Sequence, residues 1–213
     1  MQALERIDFS NNWLTLVYVL GLFLLVVLKM LNHQKLFEYS RAFFLKGFIE
    51  KKVEERGSFF NGFNIILFLF SVVVYALFFT HLATYFFTEM EFNIQLYLKI
   101  TALVFGYFTV FISLDAILCN LFEIRAELAQ LIAAKLGYLY TIALLLFPFL
   151  IFTSYSFLTI YALLIVFAVL FMLSVVLTFI NNKNLIINKL FYFILYLCAL
   201  EIAPLLIIYK ITV

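Results

Sequence analysis

Residues 64–86 read NIILFLFSVVVYALFFTHLATYF, a run without a single Asp, Glu, Lys or Arg. A bilayer's hydrocarbon core of about 30 Å is crossed by roughly 20 apolar residues at about 1.5 Å per residue. This run therefore has the length and composition of one transmembrane helix. Helix is the required form, because lipid cannot satisfy the backbone groups of an open strand, and the run shows none of the alternation of a barrel strand.

Working outward, comparable runs occupy 13–30, 94–121, 133–153, 157–180 and 190–209, so the sequence predicts an all-α, polytopic transmembrane bundle of about six spans. Composition agrees: 67% of the residues are hydrophobic and 12% charged, with mean hydropathy +1.16. A soluble domain carries about twice that share of charge. The first run follows a tail containing Glu5 and Asp8, with no basic n-region, and reads as a retained helix rather than a signal peptide. No repeat of 20–50 residues is visible, and 1–213 is read as a single integral membrane domain. Between 121 and 153, Glu123, Arg125, Glu127 and Lys135 interrupt the apolar pattern. Leu128, Leu131 and Ile132 keep helical spacing there, which predicts a helical turn leading into the fourth span, with Gly137 relieving close packing.

Orientation follows from Lys and Arg. Lys29, Lys35, Arg41, Lys46, Lys51, Lys52 and Arg56 follow the first span, Arg125 and Lys135 the third, Lys183 and Lys189 the fifth. All fall on one side. The other side holds Arg6, Lys99 and Lys210, with Glu89 and Glu91 in its second loop. The positive-inside rule then places both termini outside the cytoplasm.

The largest polar segment, 31–62, gathers Leu36, Phe37, Phe43, Phe44 and Phe48 on one side of a helical wheel, with Lys35, Glu38 and Lys46 turned away. This predicts an amphipathic cytoplasmic helix lying at the membrane surface. Its expected lipid or partner contacts are Lys35, Phe37, Arg41, Phe44, Lys46, Phe48, Lys51 and Lys52. A helix seated in a partner's groove is the functional alternative.

Ionisable groups inside spans cost about 2.5 to 3.5 kcal/mol each and call for partners or water. Lys99, Glu201 and His81 all fall in the outer halves of their spans, which permits a polar cluster between spans two, three and six, with Thr80 and Thr84 beside His81. Asp115 lies roughly 24 Å deeper than Lys99, within reach of Lys29 or Lys189. A structural ion pair is the plain reading of such groups; ion or proton handling is the functional one. Glu201 and Pro204 stand in Glu-Ile-Ala-Pro, where the proline leaves the Leu200 carbonyl without its amide donor. A carboxylate beside a broken helix recurs in transporters, yet proline kinks are ordinary in membrane helices.

Trp13, Tyr138, Tyr140, Tyr155 and Tyr209 suit interfacial aromatic belts. Cys119 and Cys198 are expected as free thiols at different depths, and no zinc spacing, nucleotide loop, dinucleotide fingerprint or nucleophile elbow occurs. No cofactor, metal or catalytic set is expected. A net charge of +2, placed by topology, excludes a nucleic-acid footprint.

Trp13 ahead of the first span, the basic aromatic segment 35–56, Tyr97-Leu98-Lys99, Gly137 followed by Pro148, and residues 196–210, YLCALEIAPLLIIYK, together resemble a family of uncharacterised inner-membrane proteins of the Bacteroidota, catalogued as a domain of unknown function. The resemblance implies a multi-span fold in the bacterial inner membrane and carries no activity or ligand. The function expected is that of a non-enzymatic scaffold or assembly subunit of a membrane complex, in contact with the bilayer, a membrane-protein partner or a second copy. The competing class is a transporter or ion-conducting protein using Lys99, Glu201 and Asp115.

Overall fold

The computed structural model describes residues 12–43, 62–87, 92–121, 125–156 and 159–181. They form six helices: α1 (Asn12–Leu31), α2 (His33–Ser40), α3 (Gly62–Phe86), α4 (Ile94–Leu121), α5 (Arg125–Tyr155) and α6 (Ile160–Asn181). Five stretches are long and apolar enough to cross a membrane: Asn12–Leu31, Gly62–Phe86, Ile94–Leu114, Ala134–Tyr155 and Ile160–Ile180. They coincide with the first five runs of the sequence; the sixth, 190–209, lies outside the described residues. The helices alternate in direction, so the starts of α1, α4 and α6 share one end with the finishes of α3 and α5. Trp13 marks that end.

Two of the described spans make the interior. Of the apolar windows, 56% of residues are buried in Gly62–Phe86 and in Ala134–Tyr155, against 28% in Asn12–Leu31, 22% in Ile94–Leu114 and 11% in Ile160–Ile180. Hence α3 and α5 form a central pair, with α1, α4 and α6 around them. An apolar side chain gains nothing by leaving lipid for protein, so the central pair is held by packing and by interhelical hydrogen bonds. Phe70 meets Phe147 edge-on at 5.3 Å between ring centres, and Phe78 meets Phe167 of α6 at 4.5 Å. Phe68 and Tyr75 pack on Phe108 of α4. Tyr75 donates to the Leu139 carbonyl at 2.8 Å, tying α3 to α5.

One close approach depends on a missing side chain. A Cβ at Gly21 would stand 2.7 Å from Cε2 and 2.8 Å from Cζ of Phe147. That ring is itself confined between Tyr18 and Phe70, so α1 can approach α5 here only as glycine. Next to Phe147, Pro148 sits inside α5, an insertion that membrane helices accept more readily than soluble ones.

The link from α1 to α2 is a sharp joint. Asn32 is extended (φ −159°, ψ 95°) and its side-chain oxygen accepts the Lys35 amide at 3.0 Å, capping α2. The short helix then docks on α5: Tyr39 and Ala42 are buried, Phe43 stacks on Tyr138 at 5.6 Å, and the Thr141 hydroxyl reaches the Tyr39 carbonyl at 3.0 Å and that of Gly137 at 2.9 Å. Leu36 and Phe43 pack against the core as their apolar character suggests. Phe37, grouped with them on the wheel, is exposed instead, with the Arg41 guanidinium 4.1 Å above its ring and His33 stacked beside it. The wheel assumed one continuous helix, whereas the helix finishes at Ser40 and 41–43 turn. Phe44, Lys46, Phe48, Lys51 and Lys52 lie outside the described residues.

A polar chain inside the bundle as candidate functional site

Serine and threonine hydroxyls within apolar helices find their nearest acceptor on their own backbone, one turn back. Ser71 donates to Leu67, Thr80 to Ala76, Thr101 to Tyr97, Thr109 to Phe105 and Ser113 to Thr109, all at 2.7–2.9 Å. In each of these the hydroxyl proton is used within its own helix. Three side chains at the Trp13 end behave differently and join separate spans.

His81 on α3 lies with Nε2 3.1 Å from Ser154 Oγ on α5. Ser154 Oγ is 2.6 Å from the Tyr18 hydroxyl on α1, and that hydroxyl donates to the Leu150 carbonyl at 3.0 Å. The Leu150 carbonyl also accepts from the Thr153 hydroxyl at 2.9 Å. Either oxygen of the Tyr18–Ser154 pair can donate, and the role of His81 Nε2 follows the tautomer of its ring.

Thr15 and Tyr155 add a second link between α1 and α5 at 2.7 Å, and Tyr85 is hydrogen-bonded to Tyr161 between α3 and α6. Aromatic rings close the site toward the end of the bundle. Phe92 lies on the His81 ring at 5.0 Å and against Trp13 at 5.1 Å, and Trp13 meets Tyr97 at 5.8 Å. This places Trp13 and Tyr155 at one level, as expected of an interfacial belt.

The chemistry open to this arrangement is narrow. Ser154 is hydrogen-bonded on one side to His81 and on the other to Tyr18, so its hydroxyl is engaged by two other spans. What the chain supplies is a three-helix tie. Among the described residues no group of three His, Cys, Asp or Glu side chains gathers that could hold a metal ion.

Of the residues singled out in the sequence, His81 enters this site, but Thr80 and Thr84 turn back to their own helix. Lys99 lies exposed on α4. Asp115 belongs to α4, though its side chain is outside the described set, and Glu201 and Pro204 lie outside the described residues altogether. Tyr18 and Ser154 were missed. Their one sequence signal is a hydroxyl near the same end of a span, Tyr18 in the second turn of α1 and Ser154 in the last turn of α5, too common a pattern to single them out.

Five long apolar helices packed around shared aromatic and polar contacts define an integral, multi-pass α-helical membrane protein. The chain belongs to the family described as Domain of unknown function (DUF4271), whose model matches residues 14–212. No curated protein and no solved structure matches it.

Proposed function

We propose that the protein is a non-catalytic assembly subunit of a bacterial inner-membrane complex, crossing the membrane six times with both termini on the periplasmic side. The observation that carries this reading is how the hydroxyls inside the described spans are engaged. Ser71, Thr80, Thr101, Thr109 and Ser113 bond back to their own helices and His81–Ser154–Tyr18 ties one helix to another, so these groups serve the fold. What remains outward in the described spans is largely apolar helix surface, widest on α6, and the sequence adds a basic segment after α2. Bilayer-facing apolar surface and a basic cytoplasmic segment suit lipid and protein partners rather than a soluble substrate. In this reading residues 36–52 lie along the anionic cytoplasmic surface, anchored to the bundle through Tyr39.

Purification from native membranes in mild detergent tests the reading. A stoichiometric membrane-protein partner that remains bound through size exclusion is the expected result. The rival reading, ion or proton transport through Lys99, Glu201 and Asp115, draws on the exposed position of Lys99 in an apolar span. Partner-free protein in sealed vesicles that conducts protons, with conduction lost in Glu201→Gln, would replace the assembly reading with that one.

A further inference from the structure

The outer surface of α4 is unlike that of its neighbours. Positions 95, 99, 102, 103, 106 and 110 recur at three- and four-residue spacing and so form one stripe along the helix. They are Gln95, Lys99, Ala102, Leu103, Gly106 and Val110; all are exposed except Gly106, which is partly so, and a Cβ added at Gly106 would meet nothing within 4 Å. The inner face of the same helix is filled by Tyr97, Val104, Phe108 and Phe111, all buried. The stripe is therefore shallow, with Ala102 and Gly106 four residues apart, the small-residue spacing that lets a second helix approach closely. At its upper part stands an ammonium group with no ion-pair partner among the described residues.

The chain itself supplies a matching segment. Past Asn181 it continues through the apolar run 190–209, in which Glu201 is the sole Asp, Glu, Lys or Arg. Each charge left alone in its span would carry the insertion cost of an unpaired ion. Lys99 lies five residues inside the start of its span, about 7 Å deep, and Glu201 eight residues inside the end of its run, about 12 Å deep. The difference of about 5 Å is within the reach of a lysine's flexible stem.

We propose that residues 190–209 pack antiparallel along this stripe of α4, with Glu201 paired to Lys99. The proposal rests on the six-span reading for the crossing of that segment and adds where it docks. At those depths Cys198, about 17 Å deep, comes level with Gly106 on the stripe, about 18 Å deep, and next nearest to Leu103, about 14 Å deep.

That register makes the native Cys198 a probe. In a Cys119→Ser background, Gly106→Cys, where an added Cβ meets nothing within 4 Å, and Leu103→Cys are oxidised in membranes beside Phe105→Cys, whose side chain is exposed on a different face of α4. The expected result is a cross-link within one chain for at least one of the first two, about tenfold above that for Phe105→Cys, since a disulfide forms only when the Cα atoms approach within about 7 Å. A cross-link between chains would overturn the proposal in favour of a second copy on the stripe. Equal or absent cross-linking at all three positions would overturn it too, and if Val213 still labels on the same side as Asn12, the crossing stands and the docking alone fails. Lys99→Met and Glu201→Gln supply a second readout: each lowers the yield of monodisperse protein, and the double variant recovers part of it. Simple addition of the two losses would remove the ion pair.

Discussion

Each hydroxyl in a membrane span has an easy acceptor one turn back, so a serine that bonds across helices instead marks a point where packing has brought a better geometry. Ser154 is such a residue: it is hydrogen-bonded to both His81 and Tyr18, 73 and 136 positions away, and so joins three helices. Interhelical hydrogen bonds in membrane proteins contribute about 0.6 kcal/mol on average and up to about 1.7. Tyr18→Phe and Ser154→Ala are each expected to lower stability in detergent by about 1 kcal/mol. The double variant should cost less than the sum, because either change alone already breaks the chain. Thr109→Val, which removes a hydroxyl bonded only to its own helix, should be neutral within about 0.5 kcal/mol. Equal losses from Thr109→Val and Ser154→Ala would show that the chain adds nothing as a chain.

At the level of the helices, positions came directly from hydropathy and contacts did not. Five spans stand where the apolar runs stand, and α5 runs unbroken from Arg125 through the charged stretch into its span, since Leu128, Leu131 and Ile132 keep their helical spacing. Which faces meet was hidden, because runs such as α3 are apolar all round and lack the one-sided pattern that marks a core face in water. Tyr39 shows the same difficulty in reverse: it sits among polar neighbours, yet it is the buried anchor of α2. Gly21 could not be distinguished from any other span glycine until Phe147 was found against it. Gly21→Ala is expected to destabilise by about 1–3 kcal/mol, the usual range for overpacking a filled site. Gly62→Ala, where a Cβ meets nothing within 4 Å, should change little. Phe147→Leu in the Gly21→Ala background should recover part of the loss, and thermal unfolding in detergent reads all three; no recovery would move the strain elsewhere.

The whole molecule is organised by the asymmetry between its two ends. At the Trp13 end, aromatic rings and neutral hydrogen bonds gather: Trp13, Phe92, Tyr97, Tyr155 and the His81 chain. At the opposite end lie Lys29, the capped joint at Asn32 and Arg41 over Phe37. That division is what the Lys and Arg count expresses, and it underlies both the orientation and the assembly role proposed for the chain. Its count of spans decides whether the two termini share a side, which makes topology the most direct test. Single cysteines at Asn12, Glu89, Val213, Lys52 and Lys183, in a background lacking Cys119 and Cys198, are exposed to a membrane-impermeant thiol reagent in intact cells. Labelling at Asn12, Glu89 and Val213, with Lys52 and Lys183 protected until the cells are opened, is the predicted result. Labelling of Val213 only together with Lys183 would leave five spans and contradict the six-span bundle, and labelling of Asn12 and Lys52 from the same side would contradict its orientation from the first helix onward.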